Sequence, residues 1–145
     1  MTLRGLFPRT VKPEEFSDNI LGLSFAFVET YMQAQRAEAS ELDQICGIGY
    51  RKALEFLVKD YLCHKFPDEE ENIKKESLGK NLNRIEDGKV QTLAKRATWI
   101  GNDETHYVRK HEDLDVGTMK TFIRAMVHFI DSDLTFEQAL TIDPA

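Results

Sequence analysis

The fold is decided by one stretch, Asp115-Val-Gly-Thr-Met-Lys-Thr-Phe-Ile-Arg-Ala-Met-Val-His-Phe-Ile-Asp131. Within it Val116, Met119, Ile123, Met126, Val127 and Ile130 recur at three- and four-residue intervals, the period of a helix with one buried face. Asp115 stands just ahead of that run as an N-cap, so the spacing predicts a helix over 115–131. No stretch of the chain alternates convincingly at period two, as a half-buried strand would. The chain therefore reads as all-α.

The same period extends upstream. Val90, Leu93, Ala94, Ala97 and Ile100 predict a helix from Lys89 to Ile100, with Gly101-Asn102-Asp103 as its stop. Leu78, Leu82 and Ile85 suggest a short helix that ends near Asp87-Gly88. Before it, Pro67 and the acids Asp68, Glu69, Glu70 and Glu71 read as a solvated connection. Leu42, Ile45, Gly49, Ala53, Phe56 and Leu57 predict a long helix from Ser40, as N-cap, to His64. Gly47 and Gly49 cost that helix about 1 kcal/mol each relative to alanine, which points to close approach of a neighbouring helix. Phe16, Ile20, Leu23, Phe27, Tyr31 and Met32 predict a first helix over Pro13–Ala37, with Pro13-Glu14-Glu15 suited to its first turn. Downstream, Phe136 and Leu140 suggest a tail that docks as a short turn or helix. The expected architecture is an up-and-down bundle of four main helices with short accessory helices. Residues 1–12 form an extension, 13–132 the helical domain and 133–145 a tail.

A chain of 145 residues suits one domain, and 41% apolar with 30% charged residues gives both a core and a wet surface. The net charge of −6 argues against non-specific coating of nucleic acid. That charge is unevenly spread. Residues 1–73 carry 8 basic and 13 acidic groups, residues 74–111 carry 9 and 5, and residues 112–145 carry 2 and 7. The middle is basic between two acidic flanks. The longest nearly apolar run, Ile20 to Val28, is too short for a membrane-spanning helix. Without a visible secretory signal and with only Cys46 and Cys63, the chain is expected in the cytoplasm with both thiols reduced. Both cysteines fall on one predicted helix, about 25 Å apart, and cannot bond to each other.

No phosphate-cradling glycine loop, zinc-type cysteine pairs or serine-nucleophile elbow occurs, and no cofactor or metal is implied. The richest polar cluster runs from Trp99 to His111. It holds Asn102, Asp103, Glu104, His106, Arg109, Lys110 and His111. On a helix Asn102 and His106 would share a face at i and i+4, whereas in a loop their spacing fixes nothing. His106 and His111 are badly spaced for a shared metal and lack a third ligand. Arg124 and His128 also share a helix face, but they flank core positions and read as the polar edge of the apolar stripe. Trp99 reads as core or dimer interface.

Arg51-Lys52-Ala53-Leu54-Glu55, Leu78-Gly79 to Leu82, and Gly101-Asn102 through His106 occur in an order and spacing that resemble a widespread bacterial and phage domain-of-unknown-function family. That family is placed in the HEPN (higher eukaryote and prokaryote nucleotide-binding) superfamily of helical bundles. The resemblance spans roughly residues 15–130. It implies a HEPN-like bundle that pairs as a homodimer. Catalytic members are metal-independent ribonucleases with an Arg-x4–6-His motif at the dimer interface. There the histidine handles the 2′-hydroxyl proton and the arginine steadies charge at the phosphate. With His106 as that histidine, the arginine position falls at 99, 100 or 101, which hold Trp, Ile and Gly. Arg96 is ten residues upstream, and Arg109 would reverse the motif's order.

The expectation is thus a non-catalytic HEPN-like module, dimeric, with a nucleotide, RNA or protein as partner and no membrane. The resemblance also suggests a setting in phage–host conflict or defence. Asn102, His106 and Arg109 are the candidate reactive groups, and Arg51, Glu55, Arg96 and Lys110 the candidate binding groups. Arg51 and Glu55 are spaced for an intrahelical ion pair, in the weaker order, and the resemblance suggests a buried salt bridge or a polar floor beneath the Asn102–His106 segment. Two alternatives stand beside this reading: a ribonuclease using His106 with Arg109 or Arg96, and an antitoxin-like regulator that acts through surface shape.

Overall fold

Asp115 opens the deciding helix as its spacing predicts, its carboxylate accepting the Thr118 N–H at 3.0 Å. That observation comes from a computed structural model, which describes residues 13–108 and 115–142. Among those residues all regular structure is helical. The elements are α1 (Asp18–Leu23), α2 (Phe25–Ala39), α3 (Asp43–Lys65), a 3-10 turn (Pro67–Glu69), α4 (Glu70–Lys75), α5 (Leu78–Leu82), α6 (Gly88–Asp103) and α7 (Val116–Leu140).

Helix α3 packs against every other helix and is the axle of the fold. It buries Tyr50, Ala53, Leu54, Leu57, Val58, Tyr61 and Leu62, with Cys46 and Gly47 at its start. Each large side chain of that set contributes about 1.5–3 kcal/mol by leaving water. α2 runs antiparallel to α3: the Tyr31 and Tyr50 rings meet edge-on at 5.0 Å, and the Tyr50 hydroxyl donates to Glu38 at 2.6 Å. Gly49 allows this approach, because a Cβ there would stand 3.0 Å from the Ala34 Cβ. α7 runs parallel to α3, with Lys120 above the Tyr50 ring at one end and Asp133 accepting from Tyr61 at the other. α6 is antiparallel to both, since Asn102 bonds Arg51 while Lys89 lies over Phe129. Phe27, Leu54, Leu57, Ile100, Met119, Ile123 and Met126 fill the space between, all essentially inaccessible to solvent.

Several element boundaries differ from those the sequence suggests. The first helix does not begin at Pro13 or run unbroken. Ser17 caps α1, and Ser24 interrupts the run. The Ser24 hydroxyl accepts the Phe27 N–H to start α2 and donates to Asp60 on α3, a tertiary partner that local spacing does not reveal. Ser40 is not an N-cap but closes α2, and Glu41, at φ 59°, reverses the chain into α3. The acidic connection is partly helical: Glu70 and Glu71 open α4 and pair with Lys74 and Lys75, while Ile73 anchors it in the core. Asn81, fully buried, fastens α5 to this segment by donating to the Ile73 carbonyl at 2.9 Å. The Gly101-Asn102-Asp103 stop lies inside α6, which ends at Asp103. Finally, α7 does not end at Asp131. It continues through Phe136 to Leu140 because Leu134 is buried and Asp133 and Glu137 bond α3.

Candidate functional site

The N-terminal half of α3 and the last turn of α6 meet at Arg51. Its Nε donates to the Asn102 Oδ1 at 3.0 Å and its Nη1 to the Glu55 Oε1 at 2.8 Å. The second Glu55 oxygen takes Lys59 Nζ at 3.0 Å, so Arg51, Glu55 and Lys59 form a ladder of alternating charge along one helix face. Burial alone would raise the Glu55 pKa. The bonds from Lys59 and Arg51 outweigh it and hold the carboxyl below its ordinary value. The Arg51 and Glu55 side chains retain about a quarter of their exposure, so the ladder faces solvent at one edge.

Backbone geometry fixes this arrangement. Gly101 is buried in α6 directly beneath the stem of Arg51, and a Cβ at 101 would lie 2.6 Å from Arg51 Cγ and 2.8 Å from its Cβ. The glycine that reads as a helix stop is instead the seat for an arginine from a neighbouring helix. Gly47 works similarly against the turn after α6, where a Cβ would meet the Glu104 side chain at 2.8 Å.

The other candidates are dispersed. Because α6 ends at Asp103, Asn102 and His106 do not share a helical face. The Asn102 carbonyl accepts from Thr105, and His106 stands exposed on the following turn with its N–H directed at the Asp103 carbonyl. Arg96 stacks on the Trp99 ring at 4.4 Å. Trp99 is itself half-exposed, so it is not a core residue. Arg109, Lys110 and His111 lie outside the described residues. Arg124 is exposed and reaches Glu14 at 3.7 Å, and His128 is exposed beside it. Both cysteines are free, and burial pushes both thiols up, which favours inert packing over reactivity.

Three features escape motif reading. Lys59 extends the Arg51–Glu55 pair by one more turn, a continuation that four-residue spacing alone would have revealed. Lys52 lies over the Phe56 ring at 5.3 Å. A groove of about 370 Å³ continues from Glu55 past Phe56, Lys59 and Lys74. Chemically, the ladder offers a guanidinium with donors beyond those given to Asn102 and Glu55, set beside further cations. Such a group recognises a phosphate or carboxylate.

None of the three positions upstream of His106 supplies a cation: Trp99 is half-exposed, Ile100 is core, and Gly101 is filled by Arg51. No helix of the described residues is long and apolar enough to cross a membrane. No protein-family model, curated protein or solved structure matches the chain.

Proposed function

We propose that the chain is a non-catalytic HEPN-like module, a bundle of α2, α3, α6 and α7 that works as a homodimer in phage–host conflict or defence. Its partner is a nucleotide or short RNA, gripped by phosphate at Arg51. The observation that carries this reading is the seating of Arg51 on Gly101 with Asn102 and Glu55 orienting it. A guanidinium fixed on two sides is pre-organised, so little freedom is lost when its remaining donors meet an anion. In the adjoining groove Lys52, Lys59 and Lys74 face Glu55 and Asp60, with Lys59 paired to Glu55 and Lys74 to Glu70, so the field there is only weakly positive.

The second reading is a metal-independent ribonuclease using His106. One observation favours it: the stem of Arg51 packs on Gly101, one of the three positions where the motif arginine would sit, and its guanidinium reaches the adjacent Asn102. Against it, His106 sits on a turn after α6 rather than on the helix that carries Asn102.

Incubation of the purified chain at micromolar concentration with labelled single-stranded RNA, in the presence of a chelator, separates the two. The non-catalytic reading expects intact RNA after several hours. Cleavage that disappears in His106→Ala, with helical content unchanged, would establish the ribonuclease instead.

A further inference from the structure

One turn before the asparagine that holds Arg51, an indole stands in solvent. Trp99 is 53% exposed, and among the described residues of α6 it is the one large apolar side chain left open. A protein-docking patch surrounds such an anchor with further apolar side chains. α6 offers none, since Val90 and Ile100 are buried. The residues three and four positions from Trp99 are instead Lys95, Arg96 and Asn102, with Asp103 turned into the core.

Arg96 lies over the ring, 4.4 Å from its centre, and holds the indole at a fixed tilt. From Gly88 to Asp103 the helix carries Lys89, Lys95 and Arg96 against one acid, the buried Asp103. An open aromatic ring among cations is what single-stranded nucleic acid requires: a base stacks on the ring while the backbone follows the charge.

Position relative to Arg51 carries the argument further. Trp99 and Asn102 are three residues apart on α6, so their Cβ atoms are neighbours at about 5–6 Å. The Asn102 Oδ1 accepts the Arg51 Nε at 3.0 Å. Guanidinium, amide and indole therefore follow one another across a single surface. Lys95 is one turn further along α6, where a neighbouring phosphate would pass.

We infer that Trp99 is the stacking platform for an unpaired base of the strand whose phosphate Arg51 holds. The inference rests on the reading of Arg51 as a phosphate site and narrows its ligand to single-stranded RNA. In a duplex the faces of the bases are already stacked on one another, and a base-free phosphate has nothing to lay on the ring.

Trp99 is the only tryptophan of the chain, so emission excited beyond the tyrosine band reports on this position alone. The full chain is titrated with a short single-stranded oligoadenylate, with a blunt-ended RNA duplex and with inorganic pyrophosphate. Anisotropy of labelled oligoadenylate gives the affinity, and circular dichroism checks the fold. Oligoadenylate is expected to quench Trp99, and the duplex and pyrophosphate to leave its emission unchanged. Trp99→Ala is expected to weaken oligoadenylate binding about 5- to 100-fold, and Trp99→Phe, which keeps a stacking ring, by less.

Oligoadenylate that binds and depends on Arg51, with Trp99 emission unmoved or Trp99→Ala as tight as wild type, would overturn the platform and leave the phosphate site standing. Binding weakened by Trp99→Ala but not by Arg51→Ala would overturn the placement of both on one strand. Quenching by the duplex or by pyrophosphate equal to that by oligoadenylate would overturn the stacked base. No binding by the wild type would remove platform and phosphate site together. A blue shift of Trp99 emission that grows with protein concentration, without RNA, would put a second copy on the ring and overturn the inference as well.

Discussion

Arg51 on α3 lies against the backbone of Gly101 on α6, closer than any side chain at 101 would permit: a Cβ there would be 2.6 Å from Arg51 Cγ and 3.3 Å from the Met119 sulfur. The obstructing atoms are Cγ and Cβ of the arginine, and rotation about χ1 moves only the first, so α3 and α6 must shift apart to admit a methyl group. Gly101→Ala is therefore expected to destabilise the fold by about 1–3 kcal/mol despite the better helix propensity of alanine. Urea unfolding measures it, and an unchanged midpoint would show that Arg51 is free to move.

The same reasoning orders the other helical glycines. Nothing lies within 4 Å of a Cβ built at Gly22, so Gly22→Ala is expected to gain up to about 1 kcal/mol from propensity alone. At Gly49 the new methyl would meet Ala34 at 3.0 Å, and the crowding offsets that gain. Thermal midpoints should rank Gly22→Ala first, then Gly49→Ala, then Gly101→Ala.

Ser24 interrupts what would otherwise be one long helix. It is buried, caps α2 through the Phe27 N–H and donates to Asp60. Ser24→Ala leaves the Phe27 amide without its cap and Asp60 without this donor, and should cost about 1–2 kcal/mol. Asp60→Asn should cost less, because the cap survives. Equal losses in chemical denaturation would show that the cap contributes nothing.

Stability should fall at both ends of the pH scale, partly through one cluster. Burial would raise the Asp133 pKa, but the bonds from Lys65 and Tyr61 outweigh it and hold the carboxyl below its ordinary value. Bonds from His64 and Lys65 lower Glu137 likewise. Depressed carboxylates contribute fully above their unfolded values, about 4, and lose that contribution as pH falls through the folded ones. Lys65 is shifted upward: burial opposes its charge, but Asp133 and Glu137 prevail. Tyr61 is raised by burial and by its bond to Asp133. Raised groups contribute below their unfolded values, about 10, and lose that contribution as pH rises beyond them. Asp133→Asn should therefore flatten both limbs of a stability profile measured from pH 3 to 11 while lowering its plateau by about 1–3 kcal/mol. A profile parallel to the wild type would refute the role of the cluster.

Local signals were legible where the chain itself supplies the partner. The 3.6-residue period of α7 and the Asp115 cap are of this kind, because every residue involved lies within a few positions. Two of the boundaries that shifted depend on remote groups. Ser24 breaks a helix through Asp60, and α7 outruns Asp131 because α3 holds Asp133 and Glu137. The turn at Glu41 hides because a non-glycine residue takes the positive φ. At the candidate site, the Arg51–Glu55 pair was visible as spacing, whereas the seat at Gly101 was not. A glycine that ends a helix and one that admits a neighbour look alike until the neighbour is placed.

The measurement closest to the central claim is fluorescence anisotropy of a short 5′-labelled single-stranded RNA titrated with wild type and Arg51→Ala at low and moderate salt. Held by one guanidinium and the lysines beside it, the RNA should bind with a salt dependence that reflects a few phosphates. Arg51→Ala should weaken it about 10- to 100-fold, with the fold intact by circular dichroism. Binding by Arg51→Ala as tight as wild type, or no wild-type binding at 100 μM protein, would contradict a phosphate site at Arg51.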